Sequence, residues 1–152
     1  MTFWRPLVTS PTDTPMHPPI PGGPLQTWIA YNDAANRGAH DEAATFLTAD
    51  LAVLVNGAPS VASPEEDRAV QTELLRSYPD YRRDHVAGIE SGDVATVEWR
   101  MHGTPAPDAG LPPLDVPGCS VVRCTAGRIA EARLYHPTGA LDQVAARALA
   151  RS

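Results

Sequence analysis

At 152 residues, with a hydrophobic fraction of 43% and a charged fraction of 20%, the chain is long and apolar enough to bury one sizeable core. Its formal net charge of −6 argues against nucleic acid or an anionic membrane as partner. No apolar run is long enough to span a membrane as a helix, the first residues lack the apolar stretch of a secretory signal, and a soluble, reduced, cytoplasmic protein is expected.

Residues 1–24 are dense in proline (Pro6, Pro11, Pro15, Pro18, Pro19, Pro21, Pro24), which removes backbone donors and favours extended conformations. This stretch reads as an arm without regular structure, ahead of one folded domain over 25–152. Trp28, Ile29, Asn32, Ala35 and Asn36 recur at helical spacing and predict a helix over 25–39, stopped at Gly38. A short second helix over 41–47 takes Asp41 as its cap. The apolar run 51–56 predicts a strand that ends at the turn pair Asn56-Gly57. Ser63-Pro64-Glu65-Glu66 combines a cap, a first-turn proline and first-turn acids, and starts a helix running to about Tyr78.

After Pro79-Asp80 the periodicity changes to two. Strands are expected over 81–90, 93–102, 119–124 and 128–136, with turns at Ser91-Gly92 and Ala126-Gly127. A long loop with Pro105, Pro107, Pro112, Pro113 and Pro117 separates the second and third of these. An apolar stripe over 141–149 closes the chain as a helix. Cys119 and Cys124 lie an odd number of residues apart on one strand, on opposite faces, so no disulfide joins them. No Cys/His spacing resembles a metal site, and no metal or cofactor is expected. Helices followed by hairpin-connected strands predict an α+β domain whose twisted sheet encloses a cavity against helices on its concave side.

The strand over 93–102 carries the most chemistry. Val97, Trp99 and Met101 share one face; Thr96, Glu98, Arg100 and His102 share the other. If the second face lines a pocket, His102 is a proton-transfer group near neutrality and Arg100 stabilises an enolate or clamps a carboxylate. If it faces solvent, the row is a charged surface. His136, at the end of the last strand, is a second acid/base candidate. Trp28, Tyr31, Phe46 and Tyr78 are aromatic walls or core. Asp33, Asn56, His85 and Glu98 are candidate polar contacts, each with a bland alternative as a cap, turn or surface residue.

Tyr78-Pro79-Asp80, the Val-x-Trp strand entered through Gly92-Asp93 and left through Gly103-Thr104, Leu111-Pro112-Pro113 with Gly118, and Gly127-Arg128-Ile129-Ala130-Glu131 together resemble the SnoaL-like polyketide cyclase branch of the nuclear transport factor 2-like superfamily. The resemblance covers roughly residue 25 to the C-terminus. It implies a cone-shaped curved antiparallel sheet wrapped by helices around a deep apolar pocket, usually in a homodimer. The family's last-strand acid falls on Leu134 and its histidine after the central strand falls on Pro105. The related limonene-epoxide-hydrolase-like pattern matches Arg100, puts His102 at the position of its Asp, matches Asn56, and again meets Leu134. It implies that Arg100 and His102 face the pocket, together with Ala130, Ala132, Leu134 and His136.

The expected function is a cofactor-independent cyclase acting on a small apolar or polyketide-type intermediate of natural-product biosynthesis. His102, Arg100 and His136 are its expected catalytic groups. Trp28, Tyr31, Asp33, Phe46, Asn56, Tyr78, His85, Glu98 and Leu134 are its expected substrate contacts. The alternatives are an epoxide-opening hydrolase or isomerase, and a pocket that binds a small ligand without turning it over. The expected dimer face is the outer side of the sheet around Val97, Trp99, Arg133 and Tyr135.

Overall fold

A computed structural model describes residues 19–151. Most of the expected arm therefore lies outside the described residues, and its last proline, Pro24, is the first residue of α1 (Pro24–Asn36). The helix ends at Asn36, short of the expected 39, just ahead of Gly38, which takes a positive φ of 69° that a residue with a Cβ rarely adopts. In α2 (His40–Ala44), Asp41 sits in the first turn instead of capping it; Ala39 holds the cap position.

The strand expected over 51–56 is longer, β1 (Leu47–Val55), and pairs with a strand the sequence did not announce, β2 (Ala58–Val61). Asn56 and Gly57, with φ of 50° and 85°, make the two-residue turn between them. Pro59 hides β2 from sequence reading, yet β2 is an edge strand, where proline is tolerated.

Helix α3 (Pro64–Ser77) begins as its sequence dictates. The Ser63 hydroxyl accepts from the Glu66 amide at 3.1 Å, and the Glu66 carboxylate accepts from the Ala62 amide at 2.7 Å. Then come β3 (Arg82–Ser91), β4 (Val94–Gly103), β5 (Leu114–Thr125), β6 (Arg128–Tyr135) and α4 (Ala140–Arg151). The proline-rich loop is shorter than expected, because β5 starts at Leu114 and carries Pro117 within it. The Tyr78 hydroxyl donates to the Pro112 carbonyl at 2.8 Å and Arg147 donates to the Ala109 carbonyl at 2.9 Å, so this loop is tied to the body at its middle and at its far end.

The strands form one curved six-stranded sheet in the order β2-β1-β6-β5-β4-β3. Every pairing is antiparallel except β1 with β6, which is parallel, so the sheet is mixed. Among the described residues, helices cover only the concave face. Along β4 the buried residues are Ala95, Val97, Trp99 and Met101, alternating with exposed Glu98 and Arg100. Val97 and Trp99 are thus in the core, not on an outer dimer face. Directly across from them on β5 lie Ser120 and Gly118.

Trp99 determines the packing at the middle of the sheet. Its indole N–H donates to the Ser120 hydroxyl at 2.8 Å, and its ring lies flat over Gly118. A Cβ at Gly118 would overlap the indole atoms. Gly118→Ala is therefore expected to lower stability by about 1–3 kcal/mol through forced displacement of a fully packed ring. Urea unfolding followed by tryptophan fluorescence measures this, and an unchanged midpoint would mean that the ring has room to move.

Candidate functional site

Helices α1, α3 and α4 and the concave face of the sheet enclose a cavity of about 350 Å³. Most of its wall is apolar: Leu51, Val53 and Val55 from β1, Leu134 from β6, Val144 and Leu149 from α4. The polar groups it meets are few, as in most small-molecule sites. They are Tyr31, Ser60, Asp67, Gln71, Arg83, Ser120, His136 and Asp142.

Arg83 is the most constrained of these. It is only 5% exposed although it carries a permanent charge. Asn32 and Asn36, one helical turn apart on α1, both donate to its backbone carbonyl at 2.9 Å, and its amide donates to Asn36 at 2.9 Å. Its Nε donates to Asn32 Oδ1 at 2.6 Å. The guanidinium lies 4.9 Å from the Trp28 ring centre, 5.7 Å from Trp99 and 6.0 Å from Tyr31. Aromatic faces supply the attraction that a counter-ion would otherwise give.

Beside it, the Tyr31 hydroxyl donates to both oxygens of Asp67, at 2.8 and 3.0 Å, while Gln71 donates to the Tyr31 oxygen at 3.4 Å. Burial raises the Asp67 carboxyl above the usual carboxylate range; the Tyr31 hydrogen bond and the Arg83 and His40 charges oppose that rise. Burial, followed by the Asp67 charge, holds the Tyr31 phenol well above its ordinary value, so it stays a proton donor. A carboxylate with raised proton affinity against an apolar cavity is suited to acid–base work.

The expected site residues divide between the two faces. Trp28, Tyr31, Leu134 and His136 line the cavity. His136 Nδ1 lies 2.8 Å from the Pro137 carbonyl, which only accepts, so Nδ1 carries a proton, and in the neutral ring the lone pair is on Nε2. Arg100 and His102 do not line the cavity. They stand on the outer face, with side chains 49% and 41% exposed. Arg100 forms a two-pronged pair with Asp115 at 2.6 and 3.1 Å, and His102 lies 3.3 Å from Asp84. Glu98 is on the same outer face, along a shallow groove. A sheet covered on one side has a single interior, so the face that packs Trp99 and Met101 is also the face that lines the pocket.

The remaining expectations are structural in outcome. Asp33 pairs with Arg37 at the surface at 3.1 Å. Asn56 clamps the end of β6, donating to the His136 carbonyl at 3.0 Å and accepting from its amide at 3.2 Å. Phe46 packs at the margin of the core, and Tyr78 is fully buried with its hydroxyl on Pro112. His85 reaches the inner face but lies against Trp28, 5.9 Å between ring centres, without reaching the cavity; burial lowers its pKa. Ala130 is passed over at a bulge, where Arg123 opposes Glu131 and Cys124 opposes Ile129, so Ile129 takes the inward position.

Asp67 and Arg83 were missed, though both leave a sequence signal. Asp67 stands three, four and seven residues before Val70, Gln71 and Leu74, on the helix stripe that faces inward. Arg83 has the parity of His85. Among the described residues no group of His, Cys, Asp and Glu is arranged to hold a metal ion, and no helix is long and apolar enough to cross a membrane.

The SnoaL-like domain model matches residues 28–132, the span that holds most of α1, the Asp67 helix and five whole strands of the sheet. The chain belongs to the SnoaL-like domain family. Solved structures with this fold include a candidate SnoaL-like polyketide cyclase from Jannaschia sp. CCS1, 21% identical over 74% of this chain and 83% of that one, with a TM-score of 0.62. A candidate polyketide cyclase from Silicibacter sp. TM1040 is 22% identical over 80% and 93% of the two chains, with a TM-score of 0.61. A ketosteroid isomerase-like protein from Catenulispora acidiphila DSM 44928, solved with trimethylamine, is 18% identical over 72% and 84%, with a TM-score of 0.62. At these identities the likeness is one of fold, the α+β cone shared with ketosteroid isomerase-like proteins. The sequence matches none of the curated proteins.

The raised pKa of Asp67 fixes the sign of a pH effect. A carboxyl whose folded pKa exceeds its unfolded one contributes its stability below the unfolded value and loses it as pH rises through the folded value. Asp67→Asn cannot ionise and escapes that loss. The melting temperature of the variant relative to wild type is expected to rise between about pH 4 and pH 8. A pH-independent difference would show that the carboxyl is not held in a desolvated setting.

Proposed function

We propose that this SnoaL-like protein is a cofactor-independent cyclase or isomerase acting on a polyketide-type intermediate, with Asp67 as its proton-transfer group. The observation that carries this reading is the Asp67 carboxylate, held by Tyr31 and raised in proton affinity, on the wall of an otherwise apolar cavity.

The geometry supports enolisation. Asp67 takes a proton from the carbon next to a ketone, and the C–H electron pair moves into the carbonyl to give an enolate. Protonated Asp67 then donates to the Tyr31 oxygen. That frees the phenolic O–H to meet the enolate oxygen, and the second N–H of Gln71 is available as a further donor. From the enolate two outcomes follow. Attack on a second carbonyl of the folded chain closes a ring, with the proton returned to the new alkoxide. Return of the proton to a different carbon isomerises the substrate. In both, the apolar wall excludes water and holds the chain folded, which substitutes for lost entropy.

His136 supplies a second basic nitrogen on the same cavity, at the far end of β6. Arg100 and His102 take no part, because they are exposed on the opposite face of the sheet. The same reading carries a homodimer joined through that outer face, where Ile89 and Tyr135 are left exposed.

Proton exchange tests the chemistry without knowledge of the natural substrate. Wild-type protein is expected to speed deuterium uptake at the α-carbon of alpha-tetralone in heavy water, read by proton NMR. Asp67→Asn should reduce that rate by about 10²–10⁴-fold, Tyr31→Phe by less, and His102→Gln should leave it unchanged. A pocket that only binds would take up the ketone and leave its α-protons alone. Loss of exchange on His102→Gln would return the chemistry to the outer face.

A further inference from the structure

Arg83 is a buried cation. No carboxylate of the described residues lies within ion-pair distance of it. Its Nε is occupied by Asn32, while its two terminal nitrogens have no hydrogen-bond partner among the described residues. The residue nevertheless lines the cavity. Taking a charge out of water is costly unless it is paired and hydrogen-bonded. Three aromatic faces and one Asn oxygen offset part of that cost and fix the guanidinium in place. They leave the two-pronged edge of the fork, the edge that matches a carboxylate, unfilled.

We propose that the cavity takes an amphiphilic monoanion, a carboxylic acid in its ionised form, whose carboxylate docks on the terminal nitrogens of Arg83 and whose apolar body fills the space between β1 and α4. The opposite wall has the matching character, being lined by Val53, Val55, Leu134, Val144 and Leu149. This rests on the reading of the cavity as the substrate site, and it adds the charge class of that substrate.

The docking has a consequence for Asp67. The charged or titratable groups that face this part of the cavity or act on it are Asp67 from α3, Tyr31 from α1, Arg83 from β3, Tyr81 just ahead of β3, and His40, which with Arg83 holds the Asp67 pKa down. Asp142 and His136 line the cavity from the chain's C-terminal part. A carboxylate that neutralises Arg83 removes that restraint, so a bound anion makes Asp67 a stronger base. By linkage, an ionised Asp67 weakens the anion, and removing its charge strengthens binding.

The test is calorimetric titration of the full chain at about pH 8 with phenylbutyrate and with its uncharged amide. Wild type is expected to bind the carboxylate about tenfold or more tighter than the amide. Arg83→Gln should erase the preference, Arg83→Lys should keep part of it, and Asp67→Asn should increase it. Equal affinity for the two probes, or binding by neither, overturns the proposal. Should Arg83→Gln fail to fold, the wild-type comparison and Asp67→Asn still decide. A carboxylate preference without any α-proton exchange would sink the catalytic reading and leave this one standing, whereas exchange without the preference would do the reverse.

Discussion

A single sheet with helices on one face has only one interior. Hydrophobic burial, cavity and any buried polar group must all share the concave side, and the convex side faces outward. The alternation along β4 follows directly: Trp99 and Met101 face in, Arg100 and His102 face out. The site is built from whatever polar residues the inward parity of each strand and the inward stripe of each helix happen to admit. There are few, because each must be satisfied or be useful to a ligand.

Arg83 shows how such a group is tolerated. Its backbone and its Nε are clamped by two asparagines of α1, and its charge is spread against Trp28, Trp99 and Tyr31. The same clamp fixes α1 to β3, so the charge and the helix–sheet packing are set together. Tyr31 and Asp67 then respond to one another and to Arg83 in a setting of low dielectric, where pairwise effects are large. The polar end of the cavity behaves as one coupled unit and not as separate side chains.

Much of the chain was legible locally. Ser63 with Glu66 marks the start of α3, Asn56-Gly57 the β1–β2 turn, and Gly38 the end of α1, because each signal is a short-range hydrogen bond or a backbone constraint. Last-strand parity was also read correctly for Ala132, Leu134 and His136, all of which reach the cavity. Where the reading went astray, the cause was nonlocal. Pro59 hid an edge strand, Pro117 hid the first part of β5, and the bulge at Ala130 moved the inward position to Ile129. The central strand was misread because core and pocket were assigned to opposite faces of a sheet that has one interior.

The sequence by itself determined the α+β class, the order and approximate bounds of most of the elements, the aromatic and apolar lining residues Trp28, Tyr31 and Leu134, and membership of the SnoaL-like family through residues 28–132. These depend on periodicity, capping and turn chemistry, which act within a few residues. Only the tertiary structure decided which polar residues meet. Asp67 and Tyr31 are 36 positions apart, and Arg83 and Asn32 are 51 apart. Nothing in their neighbours brings them together. The parallel pairing of β1 with β6 and the closing of the helices over one face of the sheet do so, and that also sends Arg100 and His102 to the solvent.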